Sequence, residues 1–520
     1  MPERGCKINC GDFRNFGLSL DSVNKTGKSE MKVAFASSEV FPFAKTGGLG
    51  DVTGALPKYL HKMGVEVKVF LPKYALIDHS KYNLDYSYPI GEMPVRVAGK
   101  VHTVRVFHSY LPGSQVEVYF IDCPHYYHRK HIYTNDPDED ERFILFNKAV
   151  IEALQRLNWK PDLINCADWQ TGLIPLYIKD NYSWDRFFEQ TATVMTIHNI
   201  GYQGRFPKDT IHKAEIKPDL FYENSAIEIW GSVSFLKAGL MYADAINTVS
   251  ETYAEEITDS SYGEGLEGVL RYRINDFVGI LNGVDYTVWD PLNDKFIPHR
   301  FSADNLEEKV KNKKYLLESV KLKYDPEVPL AGIVSRLVAQ KGFDLVVKSI
   351  YDLMNLNMQW VILGSGADEY ENLFRSLSYA YPEKVFTYIG FHDELSHLIE
   401  AGSDMFLMPS RYEPCGLNQI YSLKYGTVPI VHKTGGLADT VHDWHEYFAR
   451  GDMSGTGFSF EHYLPSALLN TVQRAYEVYH DRDTWTRIML NGMAKDFSWE
   501  ISAKKYLDLY HKAIYNRRFR

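Results

Sequence analysis

The sequence predicts an α/β chain of two doubly wound domains, each a mostly parallel sheet with helices on both faces. Three observations carry that expectation. Short apolar runs alternate with loops and helical patterns twice over, once from residue 31 and again from residue 330; parallel strands need such crossovers, because a tight hairpin cannot return the chain in the same direction. One heptapeptide recurs almost unchanged: Lys45-Thr46-Gly47-Gly48-Leu49-Gly50-Asp51 follows the apolar run 31–37, and Lys433-Thr434-Gly435-Gly436-Leu437-Ala438-Asp439 follows the run 428–431. A chain of 520 residues also exceeds what one hydrophobic core usually organises.

Taken in order, residues 1–30 mix Gly, Asn, Ser and charges without a sustained period and read as a flexible extension. Its acids, Glu3, Asp12, Asp21 and Glu30, count against a transit peptide, and Cys6 with Cys10 makes half a metal site at best. The first domain, 31–290, opens with a strand at 33–36, the glycine turn, a helix over about 53–63 and a strand at 66–70. Strands at 101–107 and 116–121 precede a helix over 142–157. Buried runs at 163–165, 192–197 and 245–249 then deliver Asp168, His198 with Asn199, and Ser250 at their carboxyl ends. Ligands of open α/β sheets bind beyond those ends, so the three make a cleft wall. After Asn282-Gly283-Val284-Asp285 the pattern breaks near Pro291, the expected hinge. The second domain, 291–495, carries strands at 330–334, 359–363, 385–389, 405–408 and 428–431. The tail, 496–520, places Ala503, Leu507, Tyr510 and Ile514 on one helical face that must dock on something.

Composition narrows the partners. Lys and Arg number 57 against 67 Asp and Glu, a formal charge of −10, which disfavours polyanion binding and makes nucleic acid an unexpected partner. Any phosphate site must be local. No apolar run is long enough to span a bilayer, the first thirty residues lack a signal-peptide core, and five scattered cysteines suit a reducing compartment. The expectation is a cytoplasmic protein, or a stromal one in a plant or alga, with no membrane partner. Oligomeric state is left open.

The first glycine turn has the chemistry of an anion site. Paired glycines at 47 and 48 let backbone N–H groups approach a ligand, the following helix adds the positive end of its dipole, and Lys45 supplies a full charge. A third strand-to-helix loop, Ser410-Arg411-Tyr412-Glu413-Pro414-Cys415-Gly416-Leu417, would present a carboxylate instead. Arg336 and Lys341 flank the turn after the run 330–334, where both can reach a diphosphate between the domains; the alternative is two solvated cations at a helix start.

These strings resemble the bacterial-type glycogen synthases and plant-type starch synthases. The resemblance rests on KTGGLGDV from Lys45, ADWQTG around Asp168, TIHNIGYQGRF around His198, SFLKAGLMYAD around Phe235, LNGVD around Asn282, SRLVAQKG around Arg336, EPCGLNQIYSLKYGT from Glu413 and KTGGLADTV from Lys433. It implies a GT-B fold, two Rossmann-like domains across a deep cleft. It also implies retaining transfer of glucose from ADP-glucose to the non-reducing end of an α-1,4-glucan, with no cofactor and no metal. The alternatives are a non-catalytic glucan-binding homologue and a glucosyltransferase using another nucleotide-glucose.

By the same resemblance, Lys45, Gly47, Gly48, Arg336, Lys341, Gly416 and Leu417 hold the donor's phosphates. Glu413 contacts the transferred glucose; read from its place alone, it equally suits a carboxylate that stabilises a helix start. His198, otherwise a core histidine, lies over the anomeric carbon. Phe391 stacks on adenine where relatives have tyrosine, with Cys415 and Asn282 beside the donor. Asp168 meets sugar hydroxyls, and Asp51, Asn199 and Tyr127 face acceptor or sugar. Relatives of the wider fold place a second Glu eight residues after the first; this chain, like the glucan synthases, has Tyr421. Two signals are declined: Cys123, His125, His128 and His131 lack a zinc-site spacing, and Gly364-x-Gly366 lacks the rest of a dinucleotide fingerprint.

Overall fold

The structure, a computed structural model, describes residues 31–519; the proposed extension at 1–30, with Cys6 and Cys10, lies outside them. Two sheets organise the chain. The first runs Phe277–Gly279, Ala245–Thr248, Ala192–Ile197, Leu163–Ala167, Lys32–Ala36, Glu66–Pro72 and Glu117–Asp122, all parallel. Beyond them the long strand Lys100–Tyr110 pairs antiparallel with Glu117–Asp122, and Asp85–Tyr86 and Met93–Val97 pair antiparallel with it in turn. The sequence predicted a mostly parallel sheet and did not say where it departs from parallel. This edge departs because Lys100–Tyr110 has one solvated face, which an antiparallel strand accommodates and a parallel interior does not.

The second sheet runs Val385–Ile389, Gln359–Gly366, Leu330–Leu337, Met405–Met408, Val428–His432 and Phe458–Phe460, parallel throughout. Phe458–Phe460 was not expected, since three residues are too short to show a period. In both sheets the chain steps to one side of its first strand and later to the other. The reversals fall between Lys32–Ala36 and Leu163–Ala167, and between Leu330–Leu337 and Met405–Met408. Crevices open at the carboxyl ends there, which is where doubly wound sheets take their ligands.

The first core buries Val33, Phe35, Val69, Phe70, Ile164 and Val194. The second buries Ile333, Trp360, Ile362, Met405 and Ile430. Packing on the second domain begins at Trp289, whose ring lies flat between His397 (3.7 Å) and Tyr421 (4.0 Å). The closing helix Trp499–Phe519 returns to the first sheet, with Tyr506 hydrogen-bonded to Asn247 (3.1 Å) and Tyr510 to Asn165 (3.1 Å). Its buried stripe is Ser502, Ala503, Tyr506, Leu509, Tyr510, Ala513 and Asn516. The expected face is therefore rotated: Leu507 and Ile514 sit at its margin, because tyrosine hydroxyls and Asn516 find partners inside that an apolar pattern does not register.

Candidate active site

The two crevices meet where Asn199 bonds to Tyr412 and Asn282 to Cys415, and the glycine-bearing loops lie at their strand ends. In the first, the helix Gly48–Lys62 starts five residues earlier than expected, so Gly47 is its cap and Gly48 its first residue. A Cβ on either glycine would meet nothing within 4 Å, so the surface above this turn is open backbone. The turn is braced from behind by Glu39, 3% exposed, which accepts from Thr46 N (2.6 Å), Thr46 Oγ1 (2.7 Å), Gly47 N (3.1 Å) and the Tyr133 hydroxyl (2.7 Å). Lys45 projects from the turn and pairs with Asp51 at 2.7 Å. Burial pushes the Asp51 carboxyl up, against the pull of Lys45. Burial, with a smaller contribution from Asp51, holds the hydroxyl of Tyr421 in the second domain well above its usual value.

The second strand-end of this wall is Asp168, held at φ 56, a left-handed conformation uncommon for a non-glycine residue. Its Oδ1 accepts from His198 N at 2.7 Å, and burial raises its pKa to about 7, opposed by the amides of His198 and Asn199. The carboxyl group therefore ties down the neighbouring strand-end turn. Burial also lowers the His198 pKa to about 3, leaving a neutral imidazole. Asn199 folds its own turn by accepting from Gly201 N at 3.0 Å, and its side chain bonds across the crevice to Tyr412.

From the second domain, Arg336 stands exposed near the end of Leu330–Leu337. Lys341 reaches Glu413 at 2.6 Å, and Ser410 Oγ donates to the same oxygen, Oε2, at 2.9 Å. Glu413 is 6% exposed, so this pair sits largely out of water. Gly416 takes φ 72 ahead of Leu417, which caps the helix Asn418–Lys424. Cys415, its thiol pushed up to about 12 by burial, bonds to Asn282 of the first domain. Phe391 follows Val385–Ile389 and is 88% exposed. The ring is therefore not part of the core and its faces are free.

One expected contact is overturned. Tyr127 is 0% exposed; its hydroxyl donates to Arg142 O at 2.9 Å and its ring packs edge-on against Tyr74. It belongs to the first domain's core, where the hydroxyl still finds a backbone acceptor and the ring is covered. The declined histidines scatter: His128 bonds Asp122 and His125 stacks on His102, and among the described residues no group of three or more His, Cys, Asp or Glu converges as a metal site would. Gly364 and Gly366 are strand residues pressed against the carbonyls of Ser335 and Leu337.

Sequence reasoning missed Glu39, Tyr412 and Glu256. Glu256 and Tyr412 are single polar residues whose partners lie far along the chain. Glu39 left the one usable trace, an acid just after a strand and seven residues before a glycine turn.

The chain is similar to known proteins over most of its length. The model of the starch synthase catalytic domain matches residues 32–272, and that of glycosyl transferases group 1 matches 314–488. A glycogen synthase of Thermotoga maritima is 45% identical over 93% of this chain and 99% of its own length. One from Desulforudis audaxviator is 46% identical over 93% and 97%. The catalytic domain of starch synthase IV from Arabidopsis thaliana, solved bound to ADP and acarbose, superposes with a TM-score of 0.87 at 31% identity, covering 94% of this chain and all of that one.

Proposed function

Because this chain belongs to the glycogen and starch synthase family, we propose that its two crevices act as one transfer site. The reaction is retaining transfer of glucose from ADP-glucose to the non-reducing end of an α-1,4-glucan. The observation that carries the assignment of roles is the Lys341–Glu413 pair at the switch point of the second sheet.

In this reading the donor diphosphate lies between the domains. Arg336 and Lys341 neutralise it from one side; Lys45 and the open amides at Gly48 approach from the other. Three full positive charges suffice to offset the charge on a departing diphosphate, so no metal is assigned a step. Lys341 exchanges its carboxylate partner for phosphate, which leaves the Glu413 carboxylate to the glucose. Neutral His198, positioned through Asp168, donates a hydrogen bond to the sugar without adding positive charge where an oxocarbenium-like centre develops. Phe391 stacks on the base. Among the described residues no helix is long and apolar enough to cross a membrane, and a cytoplasmic setting, or a plastid stroma in a photosynthetic host, fits both the substrates and the cysteine usage. The net charge of −10 fits a protein that does not bind nucleic acid.

A single assay tests the reading: radiolabelled glucose transfer to soluble glycogen from ADP-glucose, in competition with unlabelled UDP-glucose and with or without a chelator. Transfer that survives chelation and is competed weakly by UDP-glucose is expected. Transfer abolished by chelation, or carried as well by UDP-glucose, overturns the corresponding part.

A further inference from the structure

The second copy of the heptapeptide is built like the first, but its anion comes from the other domain. In the first copy Glu39 takes Thr46 Oγ1, Thr46 N and Gly47 N. In the second, Glu256 of the first domain takes Thr434 Oγ1 at 2.8 Å and Gly435 N at 3.0 Å. The contact is returned. Asp439, the last residue of the repeat, accepts from Glu251 N (2.9 Å), Thr252 N (3.1 Å) and Thr252 Oγ1 (2.5 Å) at the start of Glu251–Glu256. Two short helices, one from each domain, thus exchange a carboxylate.

What lies behind the second turn differs from the first. A Cβ on Gly435 would sit 2.0 Å from Glu413 O, and one on Gly436 would sit 2.0 Å from Cys415 O. Gly436 N donates to Glu413 O at 3.1 Å. These glycines are required by close packing on the Glu413 loop, whereas Gly47 and Gly48 face open space. A continuous line of contacts therefore runs from Glu256, through Thr434 to Gly436, to the backbone of Glu413. Both carboxylates are held at the cost of their solvation: Glu256 Oε2 is buried with no hydrogen-bond partner, and burial raises both carboxyl groups.

We propose that this exchange is a closure latch: Glu256 and Asp439 engage only when the two domains meet, and by bracing the turn behind Glu413 they make that residue's position conditional on closure. They are positioning residues and touch no substrate. The proposal rests on the reading of Glu413 given above. It turns a repeat that looks like two phosphate loops into one loop for a ligand and one for the opposite domain. Closure that completes a site is a common way to make turnover depend on both substrates being seated.

The test compares Glu256→Gln, Asp439→Asn and the double variant with the wild type, reading turnover, the donor KM, and the radius of gyration by small-angle scattering with and without ADP plus maltohexaose. Each single variant should lose about tenfold in turnover, the size expected for charge-assisted hydrogen bonds, with donor KM changed less. The double variant should lose little more, because both carboxylates serve one latch. Ligands that compact the wild type should fail to compact the variants. Thr252→Val, which removes one hydroxyl leg and no charge, should show a smaller loss of the same kind and serves if a charge variant folds poorly. Wild-type turnover in all variants overturns the latch, as does lost turnover with normal compaction. Compaction is read independently of Glu413, so an active Glu413→Gln would sink the reading of the donor site and leave the latch to be judged by scattering alone.

Discussion

Replacing Glu413 with Gln separates a carboxylate that acts on the sugar from one that merely supports its helix. The side chain is 8% exposed and its partner Lys341 18%, so the pair is neither a surface bridge nor fully dry. Removing one member of a buried pair typically costs about 3–5 kcal/mol. Gln keeps an acceptor for Lys341 and Ser410, and the Lys341 ammonium retains some access to water, which together bring the expected loss to about 1–2 kcal/mol. At roughly 2–4 °C per kcal/mol for a domain of this size, melting should fall by about 2–8 °C. Turnover should fall far more. A charge poised beside a centre that becomes cationic as the phosphate leaves contributes several kcal/mol in a water-poor crevice, so about a hundredfold or greater loss is expected. Donor affinity should change less, and could even rise as Lys341 is released from its carboxylate toward phosphate. Radiolabelled transfer, ADP titration and a melting curve on the same preparation give all three numbers. A lowered melting temperature with wild-type turnover would refute the catalytic role and leave Glu413 as an ion-pair partner of Lys341.

Lys45→Ala should reduce turnover by about a hundredfold while the fold survives, since the side chain is 41% exposed and its main role is charge; a variant with ordinary turnover removes Lys45 from the site. Phe391→Ala should raise the donor KM with a smaller effect on turnover and no change in melting, because stacking on the base is the same in ground and transition states; an unchanged KM would refute the stacking, and Phe391→Tyr should be nearly silent. Asp168 carries a pH signature. Its folded pKa of about 7 lies above the unfolded value of 3.8, so its contribution to stability is fully present below about pH 4 and is lost as pH rises to about 7, at up to about 1.4 kcal/mol per unit. Asp168→Asn cannot ionise, so its melting temperature relative to the wild type should climb from pH 4.5 to 7 and level off above; a flat difference would show that the carboxyl is ionised throughout.

Much of this molecule is written locally. Alternating buried runs and helices announced both sheets, because a strand buried on two faces must be apolar along its whole length and the crossover behind it must be amphipathic. Glycine turns at strand ends announced where the crevices open, and the long strings around Lys45, Arg336 and Glu413 announced the family. What the sequence could not settle were the partners of single polar residues. Nothing local says that Tyr127 turns inward to Arg142, that Asp168 holds the His198 turn, or that Glu256 stands behind the second glycine turn. Two heptapeptides of nearly the same letters serve one as an open cradle and the other as a seat for the opposite domain. The difference lies in what packs against each glycine: open space in the first copy, and the carbonyls of Glu413 and Cys415 in the second. A short motif encodes the shape of a turn, because φ, ψ and backbone donors are local. What fills the second turn is a carboxylate nearly two hundred residues away in sequence, and only the packing of one domain on the other brings it there.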